Sequence, residues 1–324
     1  MLKKRWKPQL LLLIHNVNPS ILRAHLALFT VNALYGANHV IAKGVMPNYV
    51  QPSAFIFLRA LGAVILFWIV KLLFIKEKVK RKDLFLLATC GFFGVAVNQL
   101  FFFNGLNLTS SINTGIIMTI NPILVVILSY FILKEAITWR KSLGIALGAT
   151  GAILLTLAGK SGADDSALGD LFIFINAASY AIYLVLVKPL MKKYKPLTVI
   201  TYVFSFGLIY VTLYPPTLME LSETNFSEIP QNTYFVILYV IVCVTFLTYL
   251  LTVFALKNVS PAVSSAYIYL QPILVMLFTV LFGAIGWAED KTDSITLEKI
   301  LYMLLIFVGV YLTSSSSFLR IKKV

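Results

Sequence analysis

Ten stretches of mainly apolar residues follow one another along the chain. They lie at approximately 24–43, 53–75, 84–105, 111–133, 140–158, 169–188, 198–219, 233–256, 261–284 and 298–316. A helix needs roughly 20 such residues to cross the hydrocarbon core of a bilayer. The runs are continuous rather than alternating apolar and polar, which argues against membrane-spanning strands. Composition points the same way. Hydrophobic residues make up 59% of the 324 and charged residues 12%, against about 45–50% and about 25% in soluble domains. Cys90 and Cys243 both fall in apolar runs, where a free cysteine behaves as a small buried hydrophobe rather than half of a disulfide. The expected fold class is an all-α polytopic membrane protein with ten transmembrane helices.

The net charge of +14 is a pattern across that membrane. With a cytoplasmic N-terminus, 22 of the 27 basic residues fall in the arm before the first run, in every second loop and in the tail. The acids inside are Glu77, Asp83 and Glu135. The other ten, from Asp164 to Glu298, fall in the outer loops or at the outer ends of runs. This alternation is the positive-inside rule, and it sets both termini in the cytoplasm with an even number of spans. The charge therefore reports insertion, and no nucleic-acid partner is expected. At the start, Lys3, Lys4, Arg5 and Lys7 precede a short apolar run, Leu10 to Ile14, followed by Asn16, Asn18 and Pro19. The run is too short for a signal peptide and lacks a small-residue cleavage site. It reads as a basic cytoplasmic arm touching anionic lipid, or as a simple tail.

The chain also repeats itself. Asn121-Pro-Ile-Leu-Val125 returns as Gln271-Pro-Ile-Leu-Val275, an offset of 150 that also relates Leu106 to Leu256. Asn32-Ala33 matches Asn176-Ala177, and Pro52 matches Pro196, at an offset of 144. The expected organisation is a basic arm over 1–23, a first five-helix repeat over 24–160 and an outer linker over 161–168. A second five-helix repeat over 169–316 and a basic cytoplasmic tail over 317–324 complete it. Five is odd, so the second copy enters the membrane inverted. Such repeats characterise secondary transporters, whose substrate site lies near the midplane between the halves.

Several motifs resemble those of the EamA-type, ten-span branch of the drug/metabolite transporter superfamily. Tyr35-Gly-Ala-Asn-His-Val-Ile-Ala-Lys43 is similar to its first-span signature, with tyrosine in place of the usual tryptophan. Arg59 stands where the family commonly has arginine. Asn121-Pro122 through Leu133-Lys134-Glu135 resembles the end of the fourth span, with Lys134 in place of glycine. Pro272 and Gly286-Trp287-Ala288-Glu289 echo it in the second copy. The resemblance implies the transport, mostly outward, of solutes such as amino acids and other metabolites, from a bacterial cytoplasmic membrane.

Ionisable residues inside spans are costly and mark candidate sites. His39 and Lys43 stand one turn apart on the first span, and Arg59 lies in the outer third of the second. Each has a structural alternative: packing for His39, snorkelling for Lys43, and bonding to a neighbouring span for Arg59. Asp170 and Glu298 stand at outer ends, and no carboxylate lies deeper. This disfavours organic cations and suits a carboxylate-bearing, zwitterionic or neutral polar solute. The candidate cavity takes in Asn32, Tyr35, Asn38, Asn98, Asn121, Asn176, Tyr180, Tyr267 and Gln271, with Asn113, Tyr183, Tyr249 and Tyr269 as further polar or aromatic residues of the spans. Interhelical hydrogen bonding is the alternative for each. Asn32 and Asn176 are related by the repeat and are expected to approach each other. Pro122 and Pro272 are expected to kink or interrupt equivalent spans.

Gly144, Gly148 and Gly151 form a small-residue face for helix packing, with homodimerisation as the alternative. No phosphate loop, metal-ligand set or nucleophile triad occurs, so neither an enzyme nor a cofactor or metal is expected. The partners expected are a small-molecule substrate and the lipid bilayer. A lipid-carrier flippase, or a membrane receptor or assembly protein without transport, are the competing readings.

Overall fold

The computed structural model describes residues 19–41, 45–46, 48–109, 114, 117–158, 166–286 and 296–319. Among these residues the secondary structure is entirely helical. The helices are α1 (Pro19–Ile41), α2 (Pro52–Phe74), α3 (Arg81–Leu108), α4 (Asn121–Leu133), α5 (Trp139–Leu157) and α6 (Ala167–Val187). They continue with α7 (Pro196–Leu213), the short α8 (Pro215–Glu223), α9 (Gln231–Asn258), α10 (Pro261–Ala284) and α11 (Leu297–Leu319).

Seven of them, α2, α3, α6, α7, α9, α10 and α11, are long and apolar enough to cross a membrane. The sequence leads one to expect ten. The helices at the other three positions are shorter or less uniformly apolar. Arg23, His25, Asn32 and Asn38 dilute α1, α4 begins only at Asn121, and α5 opens on Arg140 and Lys141.

Local chemistry fixes most of the helix ends. Proline opens α2, α7, α8 and α10, where its missing N–H has no intrahelical partner to lose. The residues before them, Gln51, Lys195, Tyr214 and Ser260, are extended, as a following proline requires. Ser260 also caps α10, its hydroxyl accepting from Val263 N at 3.3 Å. At the end of α4, Lys134 takes the left-handed conformation, φ 57° and ψ 32°, and its N–H and that of Glu135 close onto the Ser129 carbonyl. Glycine is favoured in that conformation because it has no Cβ.

Two helices contain a wider π-helical stretch, Phe92–Val97 in α3 and Val240–Leu247 in α9. Under the 150-residue offset the two stretches overlap. Each widened turn displaces the regular backbone ladder, a feature often found where a helix meets a functional site.

Packing follows the same correspondence. The α3 and α4 helices pack on α6, while α9 and α10 pack on α1. The α2 helix lies against α7, and α5 lies along α11. The largest apolar core joins α2, α3, α6, α7 and α9 through Phe67, Leu87, Val95, Leu184, Phe204 and Val253, all fully buried. The Phe67 ring sits 5.2 Å from Phe204 and 4.7 Å from Phe246. Large apolar side chains also cover the outside. Leu72, Phe74, Phe85 and Leu213 are 68–82% exposed, a surface that suits lipid.

The glycine face of α5 is taken up within the chain. A Cβ on Gly309 of α11 would lie 2.5 Å from Gly148 N and 2.7 Å from the Gly144 carbonyl. Only glycines allow the two backbones to approach so closely. Gly309→Val is therefore expected to lower stability by about 3 kcal/mol. Lys134→Gly is expected to raise it by about 1 kcal/mol, by relieving the left-handed lysine. Thermal unfolding of the detergent-solubilised protein checks both signs.

Candidate functional site

Near the middle of the bundle, side chains from one helix repeatedly satisfy the backbone of another. Asn176 of α6 donates to the Asn98 carbonyl at 2.7 Å, and Asn98 donates back to the Asn176 carbonyl at 3.5 Å. Asn121, at the first turn of α4, donates to the Ala177 carbonyl at 2.7 Å. On the other side, Gln271 donates to the Asn32 side-chain oxygen at 3.2 Å, while Asn32 donates to Leu28 O at 2.7 Å. Asn121 and Gln271 are equivalent in the repeat, as are Asn176-Ala177 and Asn32-Ala33. The two interlocks are thus counterparts.

Asn32 and Asn176 are each bonded within their own cluster, and no hydrogen bond joins them. Each asparagine faces the helix that packs on its own span, α9–α10 for α1 and α3–α4 for α6.

The π-helical stretches contribute directly. The Tyr249 hydroxyl donates to Gly94 O, inside the α3 stretch, at 3.2 Å and accepts from Gln99 Nε2 at 3.3 Å. Thr245, inside the α9 stretch, donates to Val240 O at 2.8 Å, and its hydroxyl accepts from Arg59 Nε at 3.1 Å. The Tyr35 and Thr248 hydroxyls lie 3.1 Å apart. The Tyr180 and Tyr183 ring centres lie 5.9 Å apart, and Tyr183 packs directly on Gly94. One polar cluster therefore draws on α1, α2, α3, α6 and α9.

Several buried polar atoms in this region have no protein partner: Gln99 Oε1, Asn176 Oδ1, Asn121 Oδ1 and the Tyr183 hydroxyl. An unpaired buried polar group costs roughly 1–3 kcal/mol, and such groups mark places where a solute or water completes the bonding.

Other expected site residues stand apart. Tyr267 bonds to His25 Nδ1 at 2.8 Å. Asn38 is partly buried with an unpartnered oxygen. Lys43 and Asn113 lie outside the described residues, as does the His39 side chain. Pro122 and Pro272 each stand in the first turn of a new helical segment, the latter after the 3-10 turn Tyr267–Leu270. They mark interruptions, and Tyr269 beside one of them donates to Thr119 O at 3.2 Å. Sequence reasoning missed Gln99, Thr245, Phe55 and Phe103. Gln99 was detectable as a lone amide in an apolar run. Threonine and phenylalanine are too common in spans to signal anything.

Polar latches hold the two ends of α2. At its start, Glu220 of α8 accepts from Ser53 N at 2.7 Å, Ser53 Oγ at 2.9 Å and Ala54 N at 3.1 Å. A carboxylate there satisfies free amides and the positive end of the helix dipole. Beside it lies an open concavity of about 340 Å³ lined by Gln51, Glu223 and Glu228. Beyond the other end, in the first turn of α3, Asp83 accepts from Lys193 Nζ and from the Tyr194 hydroxyl, each at 2.7 Å. Glu77 accepts from Lys195 N at 3.0 Å, next to the start of α7. Burial first, then the Asp83 carboxylate, hold the Tyr194 phenol above its ordinary value, so it remains a donor at neutral pH. Lys188 donates to the carbonyls of Leu256 and Val259 at the end of α9. Among the described residues no group of three His, Cys, Asp or Glu side chains lies together as a metal site.

Comparison with known proteins agrees with this architecture. The model of the EamA-like transporter family matches residues 22–157 and again 167–315. The chain is 27% identical over 308 residues to the uncharacterized transporter YyaM of Bacillus subtilis (strain 168), covering 93% of this chain and 96% of that one. It is 26% identical to the uncharacterized transporter YetK of the same organism, over 79% and 78% of the two chains. An uncharacterized transporter of Archaeoglobus fulgidus is 25% identical over 82% of this chain and 89% of its own. A solved crystal structure of a protein superposes with a TM-score of 0.71 over 90% of this chain and 97% of that one, at 18% identity. That likeness shows a shared fold.

The interlock is open to test. Asn121→Leu removes the interhelical bond to the Ala177 carbonyl and is expected to lower stability by about 1 kcal/mol. Thermal unfolding in detergent measures the loss.

Proposed function

Since the chain belongs to the EamA-like transporter family and is an integral membrane protein, we propose that it is a secondary transporter exporting small polar metabolites such as amino acids. In this reading it lies in a bacterial cytoplasmic membrane with both termini in the cytoplasm, spans the bilayer ten times and is built from two inverted five-helix repeats. The family model matches twice, over residues 22–157 and 167–315, which supports two repeats. The reciprocal packing, α3 and α4 on α6 against α9 and α10 on α1, supports a pseudo-two-fold relation between the halves.

The observation that carries the reading is the buried polar cluster shared by both halves, with its unpartnered acceptors. A protein with a purely structural role gains nothing from leaving such groups unpaired in a lipid-embedded core. A solute that enters the cluster completes them.

Access to the cluster alternates between two sides. The Glu220 latch ties the start of α2 to α8, and the Glu77 and Asp83 latches tie the loop after α2 and the first turn of α3 to the residues just before α7. Releasing one set while keeping the other opens one side at a time. Each set joins the start of α2 or of α7 to the segment that follows its packing partner, so rocking of the α2–α7 pair is the motion that releases them.

Two measurements test the function. Overexpression is expected to confer resistance to at least one toxic metabolite or analogue, and purified protein in liposomes is expected to exchange the same solute by counterflow. Asn32→Ala and Asn176→Ala are expected to reduce that flux several-fold at unchanged membrane abundance. Matching losses of abundance would make both residues structural. A protein that moves no solute under any gradient would end the transport reading.

A further inference from the structure

Arg59 is 5% exposed in the upper half of α2, seven residues past Pro52 and thus about 10 Å along the helix axis. Its guanidinium carbon lies 5.6 Å from the Phe55 ring centre and 5.2 Å from that of Phe103. These faces hold the planar group by cation–π attraction while leaving its edges free. Of its five N–H donors, the hydrogen bond formed is that of Nε to Thr245 Oγ1. The ion pairs among the described residues are Lys141–Glu135 and Lys193–Asp83, both elsewhere. The Arg59 charge is therefore buried, and among the described residues no carboxylate forms an ion pair with it.

A buried charge without a counter-ion is destabilising by several kcal/mol. The counter-ion can instead be carried in by the solute. We propose that Arg59 is the residue that selects the transported solute by its charge, docking a singly charged carboxylate on the free edge of its guanidinium. The proposal rests on the transport reading and adds to it a residue and a head-group.

Three features point to a carboxylate rather than another anion. Arg59 presents a planar fork, which pairs with a planar carboxylate through two parallel bonds. Its single charge balances one negative charge, whereas a phosphate dianion needs a second cation. Among the described residues, Lys71 lies over Trp68 and Tyr202, Lys141 pairs with Glu135 and Lys188 is tied to the end of α9, each engaged away from Arg59. One turn along α9 from Thr245, which bonds Arg59, Tyr249 bonds Gln99, whose Oε1 is buried and unpartnered. A carboxylate that also carries an N–H or O–H donor engages both.

Thr245 gives the site its link to movement. It belongs to the π-helical stretch of α9 while Arg59 belongs to α2. A carboxylate on the same guanidinium thus bears on the contact between two helices of opposite halves.

The test pairs acids with their amides. Detergent-solubilised protein is melted with rising concentrations of L-threonine, L-leucine, L-phenylalanine or lactate, and with threoninamide, leucinamide, phenylalaninamide or lactamide. At least one acid is expected to raise the melting temperature in a saturable way while its amide does not. Arg59→Met keeps a flexible apolar stem between Phe55 and Phe103 and is expected to abolish the rise. Arg59→Lys keeps the charge but loses the fork, and is expected to weaken the response at least tenfold. An amide that stabilises as well as its acid would overturn the proposal. So would an unchanged response in the methionine variant, or no response of the unmutated protein to any acid. The acid–amide comparison needs no variant, so it stands even if Arg59→Met does not fold. Failure here leaves counterflow of other solutes intact, whereas failure of the transport reading abolishes flux altogether.

Discussion

Hydrocarbon offers no hydrogen bonds, so every break in a helix buried in a membrane protein must be repaired by the protein itself. That requirement organises the centre of this molecule. The π-helical stretches and proline interruptions each free or displace backbone carbonyls. Tyr249 reaches the Gly94 carbonyl inside the α3 stretch and Tyr269 the Thr119 carbonyl just before α4, while Asn176 and Asn121 add bonds to the Asn98 and Ala177 carbonyls of regular helix. Each of these bonds joins one helix to another, so the irregular backbone contributes to the cohesion of the bundle. The polar side chains needed for repair also provide the chemistry of the candidate site, because some of their atoms stay unpaired.

The proposed alternating access draws on where these bonds are strong and where they are exposed. The central repairs lie in a low-dielectric interior, where hydrogen bonds are stronger than at the surface. The latches at the ends of α2 lie nearer to water. Glu220 at one end and Asp83 with Tyr194 beyond the other can exchange protein partners for solvent at small net cost. A rigid centre with releasable ends is the property that alternating access requires. The close glycine packing of α5 on α11 holds those two helices tightly together.

Much of the architecture was legible in the sequence because membrane insertion imposes coarse rules. The apolar runs and the offset pairs, such as Asn121 with Gln271, anticipate where helices lie and which positions correspond. The site was less legible. Asn32 and Asn176 were expected to meet because symmetry relates them, and each bonds to the helices packed on its own span. Helix partners depend on three-dimensional packing, which an offset does not encode. The π-helical stretches leave no composition signature, so Thr245 could not be distinguished from any other threonine of a span. The role of Arg59 depends on Phe55 and Phe103 standing beside it, one from its own helix and one from α3.

The central claim is that the two ends open alternately around one closed cluster. Spin-label distances measure this directly, with Cys90 and Cys243 replaced and labels at the exposed pairs Gln51 with Ser222 and Lys78 with Lys192. In lipid nanodiscs the account predicts two populations in each pair, with the long distance in one accompanied by the short distance in the other as conditions shift the balance. Distances that stay fixed, or that lengthen together at both ends, would contradict it.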